Sequence, residues 1–128
     1  MKMRMACQTL LMMSLALGTI AWGAQLPQPI NNDRELKSAL KAARTPEEHQ
    51  RIAAYYQAKA DRLDAEAAGY EHAAASVRTG PVVKNVMAPN TAARYEAVAK
   101  SDRQEAQSDR ELMAAQEQAA KSVQMAAK

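Results

Sequence analysis

The chain has 128 residues, of which 17 are basic and 14 acidic, giving a formal net charge of +3 at pH 7. The basic residues form no run of the kind that binds nucleic acid or anionic lipid. The single cysteine, Cys7, excludes an internal disulfide.

Residues 1–24 have the pattern of a secretory signal peptide. Lys2 and Arg4 precede an apolar stretch at residues 10–22, and small residues at 21, 23 and 24 suit a signal peptidase. An uncleaved membrane anchor is the alternative, because residues 5–32 carry no charge. Since the apolar core of about 13 residues falls short of the roughly 20 that a spanning helix requires, we predict cleavage, a periplasmic or secreted location and no membrane span afterwards.

Cleavage changes the composition of the remaining chain. It leaves 15 basic against 14 acidic residues and removes Cys7 and Trp22, the only tryptophan. Leu, Ile, Val and Phe then number 13 of 104 residues, about one in eight. Because alanine favours helices but buries little apolar area, the exported chain is predicted to be helical, with a core that contains few large apolar side chains.

The pattern predicts an all-α fold: a long antiparallel, coiled-coil-like helical hairpin preceded by a short helix. Residues 25–32 are predicted to be an extended linker, and the hairpin domain covers residues 33–128, with helices at about 33–44, 46–78 and 91–127. Asn32 or Asp33 is the expected cap of the first helix. We expect Leu36 and Leu40 to dock this helix on the hairpin.

The second helix has a strong start signal, Thr45-Pro46-Glu47-Glu48, which combines a capping box with a proline in the first turn. Its run ends at Gly80-Pro81. One face carries an apolar stripe at helical spacing, made of Ile52, Tyr56, Leu63, Tyr70 and Val77 with Ala60, Ala67 and Ala74 between them.

The third helix is expected to be capped by Asn90 or Thr91, and two consecutive heptads begin at Ser101 and Ser108. Two seams fit this period. One passes through Ala99, Ala106 and Met113. The other contains Tyr95, Val98, Asp102, Glu105, Asp109, Leu112, Gln116, Ala119, Val123 and Ala126.

Charged pairs at i,i+4 are expected to support both long helices: Glu47 with Arg51, Glu96 with Lys100, and Glu117 with Lys121. The connection at residues 82–87 carries four apolar side chains. It is predicted either to fold over the tip of the hairpin or to form an exposed interaction surface.

His49 and His72 are the candidate metal ligands, but they lie 23 residues apart on one helix, roughly 35 Å at 1.5 Å per residue. They cannot share one metal ion. The acidic residues Asp102, Glu105 and Asp109 are interleaved with arginines and are interpreted as a solvated face. No catalytic constellation and no phosphate-binding loop occurs in the sequence, so neither an enzyme nor a cofactor is predicted.

Several short motifs resemble those of a group of small, secreted, alanine-rich helical proteins of bacteria whose function is uncharacterised. The motifs are Thr45-Pro46-Glu47-Glu48-His49, Ala54-Tyr55-Tyr56, Glu71-His72 and Met87-Ala88-Pro89-Asn90-Thr91-Ala92. The resemblance implies cross-hairpin histidine clusters, since many members of the group have His-Cys at the positions of Arg94-Tyr95 and histidine at the position of Gln116. In a hairpin whose facing residue numbers sum to about 165, His49 lies opposite Gln116 and His72 opposite Arg94, so this chain lacks the second half of both clusters.

We therefore predict a non-enzymatic exported protein that acts by protein–protein interaction in the cell envelope. The alternative is a weak metal or small-ligand binder that uses His49 and His72. Because one hairpin buries little apolar area, self-association into a homodimer is also predicted, with Asp102, Glu105 and Asp109 meeting Arg51, Lys59 or Arg62 across the new seam.

Overall fold

The computed structural model describes residues 28–80 and 88–128. In this part of the chain there are three helices, α1 (Asp33–Ala42), α2 (Pro46–Thr79) and α3 (Ala88–Ala126). Helices α2 and α3 pack along each other in antiparallel orientation, and α1 packs on α2. The all-α hairpin with a short N-terminal helix is confirmed, while the predicted signal peptide and the connection at 82–87 lie outside the described residues.

Helix α1 begins where the sequence indicates. The Asn32 side chain accepts a hydrogen bond from the backbone N–H of Glu35 at 2.9 Å, and the Glu35 carboxylate accepts one from the N–H of Asn31. The helix ends at Ala42, two residues before the predicted end. Ala43 leaves the helical conformation, with φ −55° and ψ 122°. Thr45 is extended, as expected for the residue before Pro46 and for the cap of α2.

Helix α2 starts with the predicted capping box. Thr45 Oγ1 accepts from the N–H of Glu48, and Glu48 Oε2 accepts from the N–H of Thr45 at 3.0 Å and from that of Arg44 at 2.6 Å. These two backbone hydrogen bonds, of which the one from Arg44 has the larger effect, lower the pKa of Glu48 because they stabilise its charged form.

Helix α3 begins at Ala88, three residues before the predicted start, so the expectation that Asn90 or Thr91 precedes the helix as its cap is wrong. Pro89 is the second residue of the helix. A proline in the first turn forfeits no intrahelical bond, since the first N–H groups of a helix have no helical acceptor. Residues 88–90 therefore form the first turn rather than the approach to it.

The interface between α2 and α3 is a heptad repeat of alanines. All of these alanines are at most 4 % exposed: Ala53, Ala60, Ala67 and Ala74 on α2, and Ala92, Ala99, Ala106 and Ala120 on α3. The seam through Ala99 and Ala106 is thus confirmed. Of the other predicted seam, Val98 and Leu112 are wrong, since these side chains are 39 % and 45 % exposed, whereas Asp109 is buried and Tyr95, Asp102, Gln116 and Val123 are half-buried. Small side chains let the two backbones approach closely, which leaves the bulkier Val98 and Leu112 at the margin of the interface.

Larger side chains fill the core at the open end of the hairpin. Ile52 and Tyr56 of α2 form a buried cluster with Ile30 and Ala43, and Leu36 of α1 packs against it. The expected docking of Leu36 is confirmed. Leu40, however, is 42 % exposed, because the short helix turns Leu36 and Ala39 towards α2 instead.

Candidate functional site

The two edges of the hairpin differ in charge. Along one edge, three arginine–carboxylate pairs cross from helix to helix: Arg78 with Glu96, Arg103 with Glu71, and Arg110 with Asp64. The Arg103 guanidinium binds Glu71 through two 2.8 Å hydrogen bonds and also reaches Asp64 Oδ1 at 3.3 Å. We call these six residues the ionic ladder.

The ladder shifts the pKa of its members. Hydrogen bonds from Arg110 and Arg103 lower the pKa of Asp64 and Glu71, respectively, and the same bonds raise the pKa of both guanidinium groups. The predicted i,i+4 pairs are wrong, and the ladder explains one of them: Glu96 is engaged by Arg78 across the hairpin instead of by Lys100. Within the described residues, Arg62 with Glu66 is the i,i+4 ion pair that forms.

On the opposite edge, Lys59 of α2 contacts two carboxylates of α3. Lys59 Nζ lies 2.8 Å from Glu105 Oε1 and 3.4 Å from Asp109 Oδ2, and its hydrogen bond to Glu105 raises the pKa of Lys59. Asp109 is only 4 % exposed, so the interpretation of Asp109 as part of a solvated face is wrong. These contacts lie within one hairpin, which corrects the expectation that Lys59 meets Glu105 and Asp109 of a second copy.

A groove of about 630 Å³ lies on the outer face of α2, where the extended segment at residues 29–31 runs beside the helix. We call it the N-terminal groove. Its apolar part is formed by Ile30, Ala54, Tyr55 and Ala58. Its polar lining consists of Asn31, Glu47, Gln50, Arg51, Lys59 and Arg62.

Three cations and one carboxylate line the N-terminal groove, but the cations are not equivalent. Lys59 is neutralised by Glu105 and Asp109, and Arg62 lies 3.8 Å from Glu66. Arg51 takes part in none of the ion pairs among residues 28–80 and 88–128, and its Nε atom is buried without a hydrogen-bond partner. Arg51 is therefore the cation in this groove that remains available to another molecule.

The Tyr55 side chain forms one wall of the groove and is held in place by two contacts. Its hydroxyl donates a 2.6 Å hydrogen bond to Asp33 Oδ1 at the start of α1, and its ring meets that of Tyr56 edge to face at a centroid distance of 5.9 Å. The bond to Asp33 raises the pKa of Tyr55. The groove thus depends on α1 remaining docked.

The structure does not bring the two candidate histidines together. His49 lies in the first turns of α2, where its Nδ1 is 2.8 Å from Gln116 Oε1 of α3. His72 is exposed further along the same helix. In the part of the chain that the structure describes, no group of three or more His, Cys, Asp or Glu residues is placed to hold a metal ion.

A second depression, of about 400 Å³, lies beside the aromatic pair Tyr70 and Tyr95, whose ring centroids are 5.9 Å apart. Gly69 lines it, and a Cβ atom added there would meet nothing within 4 Å. Tyr70, which the sequence places in the apolar stripe of α2, is 37 % exposed, and Tyr95 of α3 is half-buried. Among the described residues, Glu66 is the charged group that borders this depression.

Sequence reasoning missed Ile30 and Arg51 as parts of a site. Ile30 falls in the segment predicted to be a linker, yet it is buried against α2. Arg51 was interpreted through a local pair with Glu47. The available signal was the isolated isoleucine between Pro29 and Asn31, the one large apolar residue in residues 27–35, but its burial is a tertiary contact that no local pattern encodes.

Neither a protein-family model, nor a curated protein, nor a solved structure matches the chain. The resemblance to secreted helical proteins therefore stays a prediction. None of the helices within residues 28–80 and 88–128 combines the length and apolar character required to cross a membrane.

Proposed function

We propose that this chain is a non-enzymatic, exported helical-hairpin protein that acts by binding another protein in the cell envelope, and that the N-terminal groove is its contact surface. The observation that carries the proposal is the combination of an apolar floor with an unpaired, partly buried guanidinium at Arg51. Apolar anchors beside a few placed polar groups are typical of recognition sites.

The rest of the fold supports this role by holding the groove rigid. The Thr45 capping box fixes the first turn of α2, and Ile30 and Ala43 anchor the flanking segments in the core. Ile30 and Tyr55, which form the walls of the groove, belong to one packed cluster. Binding therefore loses little conformational entropy of the groove. A pre-formed surface of this kind suits a protein that acts as a binding partner.

In-cell photo-crosslinking tests the proposal. A photoreactive phenylalanine analogue replaces Ala58 on the groove floor, and a matched control replaces Ala114 on α3; both alanines are exposed. We expect a discrete crosslinked product from position 58 that is absent from position 114. Equal labelling at both positions, or none at 58, would contradict the proposal.

Metal binding through His49 and His72 is the other proposal for this chain, as a weak binder with carboxylates from the facing helix. The geometry offers it less support, since the neighbour of His49 across the hairpin is an amide.

Self-association is a further proposal, supported by Val98 and Leu112. Both are exposed on α3 and are two heptads apart, so they share one face of that helix. A second copy would cover them. Sedimentation equilibrium of the wild type and of Leu112→Glu tests this: a concentration-dependent dimer that the variant loses supports pairing through this face, and a monomer at all concentrations contradicts it.

A further inference from the structure

We propose that the partner segment bound in the N-terminal groove is an acidic amphipathic helix, which places a carboxylate on Arg51 and an apolar side chain over Ala54 and Ala58. This inference rests on the proposed function of the groove and adds the chemistry of its ligand.

The charge of the ligand follows from the ion pairs already made. Lys59 and Arg62 have acidic neighbours within the chain, whereas Arg51 has a buried Nε with no hydrogen-bond partner. A carboxylate binds a guanidinium in bidentate geometry, and one from a partner would bind the Nη groups of Arg51, whose side chain is only half-buried.

The shape of the ligand follows from the alanines. Ala54 and Ala58 are one helical turn apart on the exposed face of α2, so they leave a shallow floor bounded by the Tyr55 ring. Small side chains let a second helix approach closely. Arg51 precedes Ala54 and Tyr55 by three and four residues, about 5 to 6 Å along the axis.

That spacing matches one turn of a docking helix. A glutamate and a leucine at i,i+4 on a partner helix are also about 6 Å apart along its axis, so both can engage Arg51 and the alanine floor together.

The experiment measures binding of a labelled amphipathic peptide by fluorescence anisotropy, with the purified full chain. The acidic peptide carries Glu and Leu at i,i+4; matched peptides carry Gln or Lys in place of each Glu. We expect the acidic peptide to bind about tenfold or more tightly than the Gln peptide, as loss of a charged hydrogen-bonded pair implies.

Variants of the chain make the test specific. Arg51→Glu should abolish binding of the acidic peptide and permit binding of the Lys peptide, and Arg51→Met, which retains an apolar stem, should bind the acidic and Gln peptides alike. Arg94→Glu, an exposed arginine on α3 outside the groove, should behave as the wild type. Circular dichroism establishes that each variant is folded.

Equal binding of the acidic and Gln peptides by the wild type would overturn the inference, as would unchanged binding by Arg51→Glu. Binding of anionic vesicles with the same dependence on Arg51, without peptide binding, would overturn it in favour of a membrane surface. Crosslinking from position 58 does not depend on the charge of the partner. A crosslinked partner that Arg51→Glu retains therefore contradicts this inference alone, whereas failure to crosslink contradicts the proposed function.

Discussion

His49 and Gln116 join the open end of the hairpin, with 2.8 Å between Nδ1 of the histidine and Oε1 of the glutamine. The pair lies in the register predicted for an antiparallel hairpin whose facing residue numbers sum to about 165. It also occupies the position where the resemblance to secreted helical proteins implies two histidines. An amide at this position gives His49 a hydrogen-bond acceptor in place of a second imidazole ligand.

The first prediction concerns metal ions. Because His49 has an amide neighbour and His72 is exposed at a distance along the same helix, we expect no submicromolar binding of zinc, copper or nickel by the purified chain in calorimetric titration. The matched variants are His49→Ala and His72→Ala. Tight binding that either substitution removes would support the metal-binding proposal.

The helices were predictable because their signals are local. The Thr45–Glu48 capping box and the alanine-rich runs lie within a few residues of each other, so the sequence itself specifies where α2 starts. The seam of α3 was ambiguous, because two stripes share the same period of seven. Hydrophobicity favours Val98 and Leu112, whereas close approach of the backbones favours Ala99 and Ala106, and only the packed pair of helices shows which effect dominates.

The candidate site was less predictable than the fold. The N-terminal groove exists because Ile30 folds back on α2 and Tyr55 bonds to Asp33, 22 residues earlier in the chain. Likewise, Arg51 stands out from the other two cations of the groove only because Lys59 and Arg62 pair with acidic side chains in the folded chain. Such non-local contacts leave no periodic trace in a sequence.

Leu63 tests the core in the middle of the hairpin. It is buried between α2 and α3 in contact with alanines, which cannot expand to fill a cavity. We expect Leu63→Ala to lower the free energy of unfolding by about 2 to 4 kcal/mol, measured by urea denaturation. Met125→Ala is the control, because Met125 is 66 % exposed and a substitution at a surface position usually changes the free energy of unfolding by no more than about 0.5 kcal/mol. Equal effects of the two substitutions would contradict the heptad seam.

Gly69 tests whether the depression beside Tyr70 is open. A Cβ atom at this position would have nothing within 4 Å, so Gly69→Ala should stabilise α2 by about 0.5 to 1 kcal/mol through helix propensity. Gly80→Ala is the contrasting variant, because its Cβ would lie 2.9 Å from the carbonyl oxygen of Ser76. Thermal unfolding should therefore shift upwards for Gly69→Ala and downwards for Gly80→Ala. A loss of stability in Gly69→Ala would show that this surface is already covered.

Acid should weaken the ionic ladder. The pKa values of Asp64 and Glu71 are lowered in the folded chain by Arg110 and Arg103, respectively. At a pH between the lowered and the ordinary carboxyl pKa, the folded state therefore binds fewer protons than the unfolded state. Their stabilisation is present above the ordinary carboxyl pKa of about 4 and is lost as the pH falls through the lowered folded values. Melting temperatures measured downwards from pH 7 should decline in that window. The decline should be shallower in Asp64→Asn and Glu71→Gln than in the wild type or in Glu117→Gln, an exposed control outside the ladder.

The register of α2 against α3 underlies the ionic ladder and the pairing of Lys59 with Glu105 and Asp109, and charge reversal at Glu71 and Arg103 tests this register. These side chains share two 2.8 Å hydrogen bonds. Glu71→Arg and Arg103→Glu should each lower the melting temperature, since like charges then face each other, and Arg103→Glu adds repulsion with Asp64. We expect the double variant to melt above both single variants at low salt, and this recovery to shrink at high salt. A double variant that melts at the temperature expected from adding the two single losses would contradict the register.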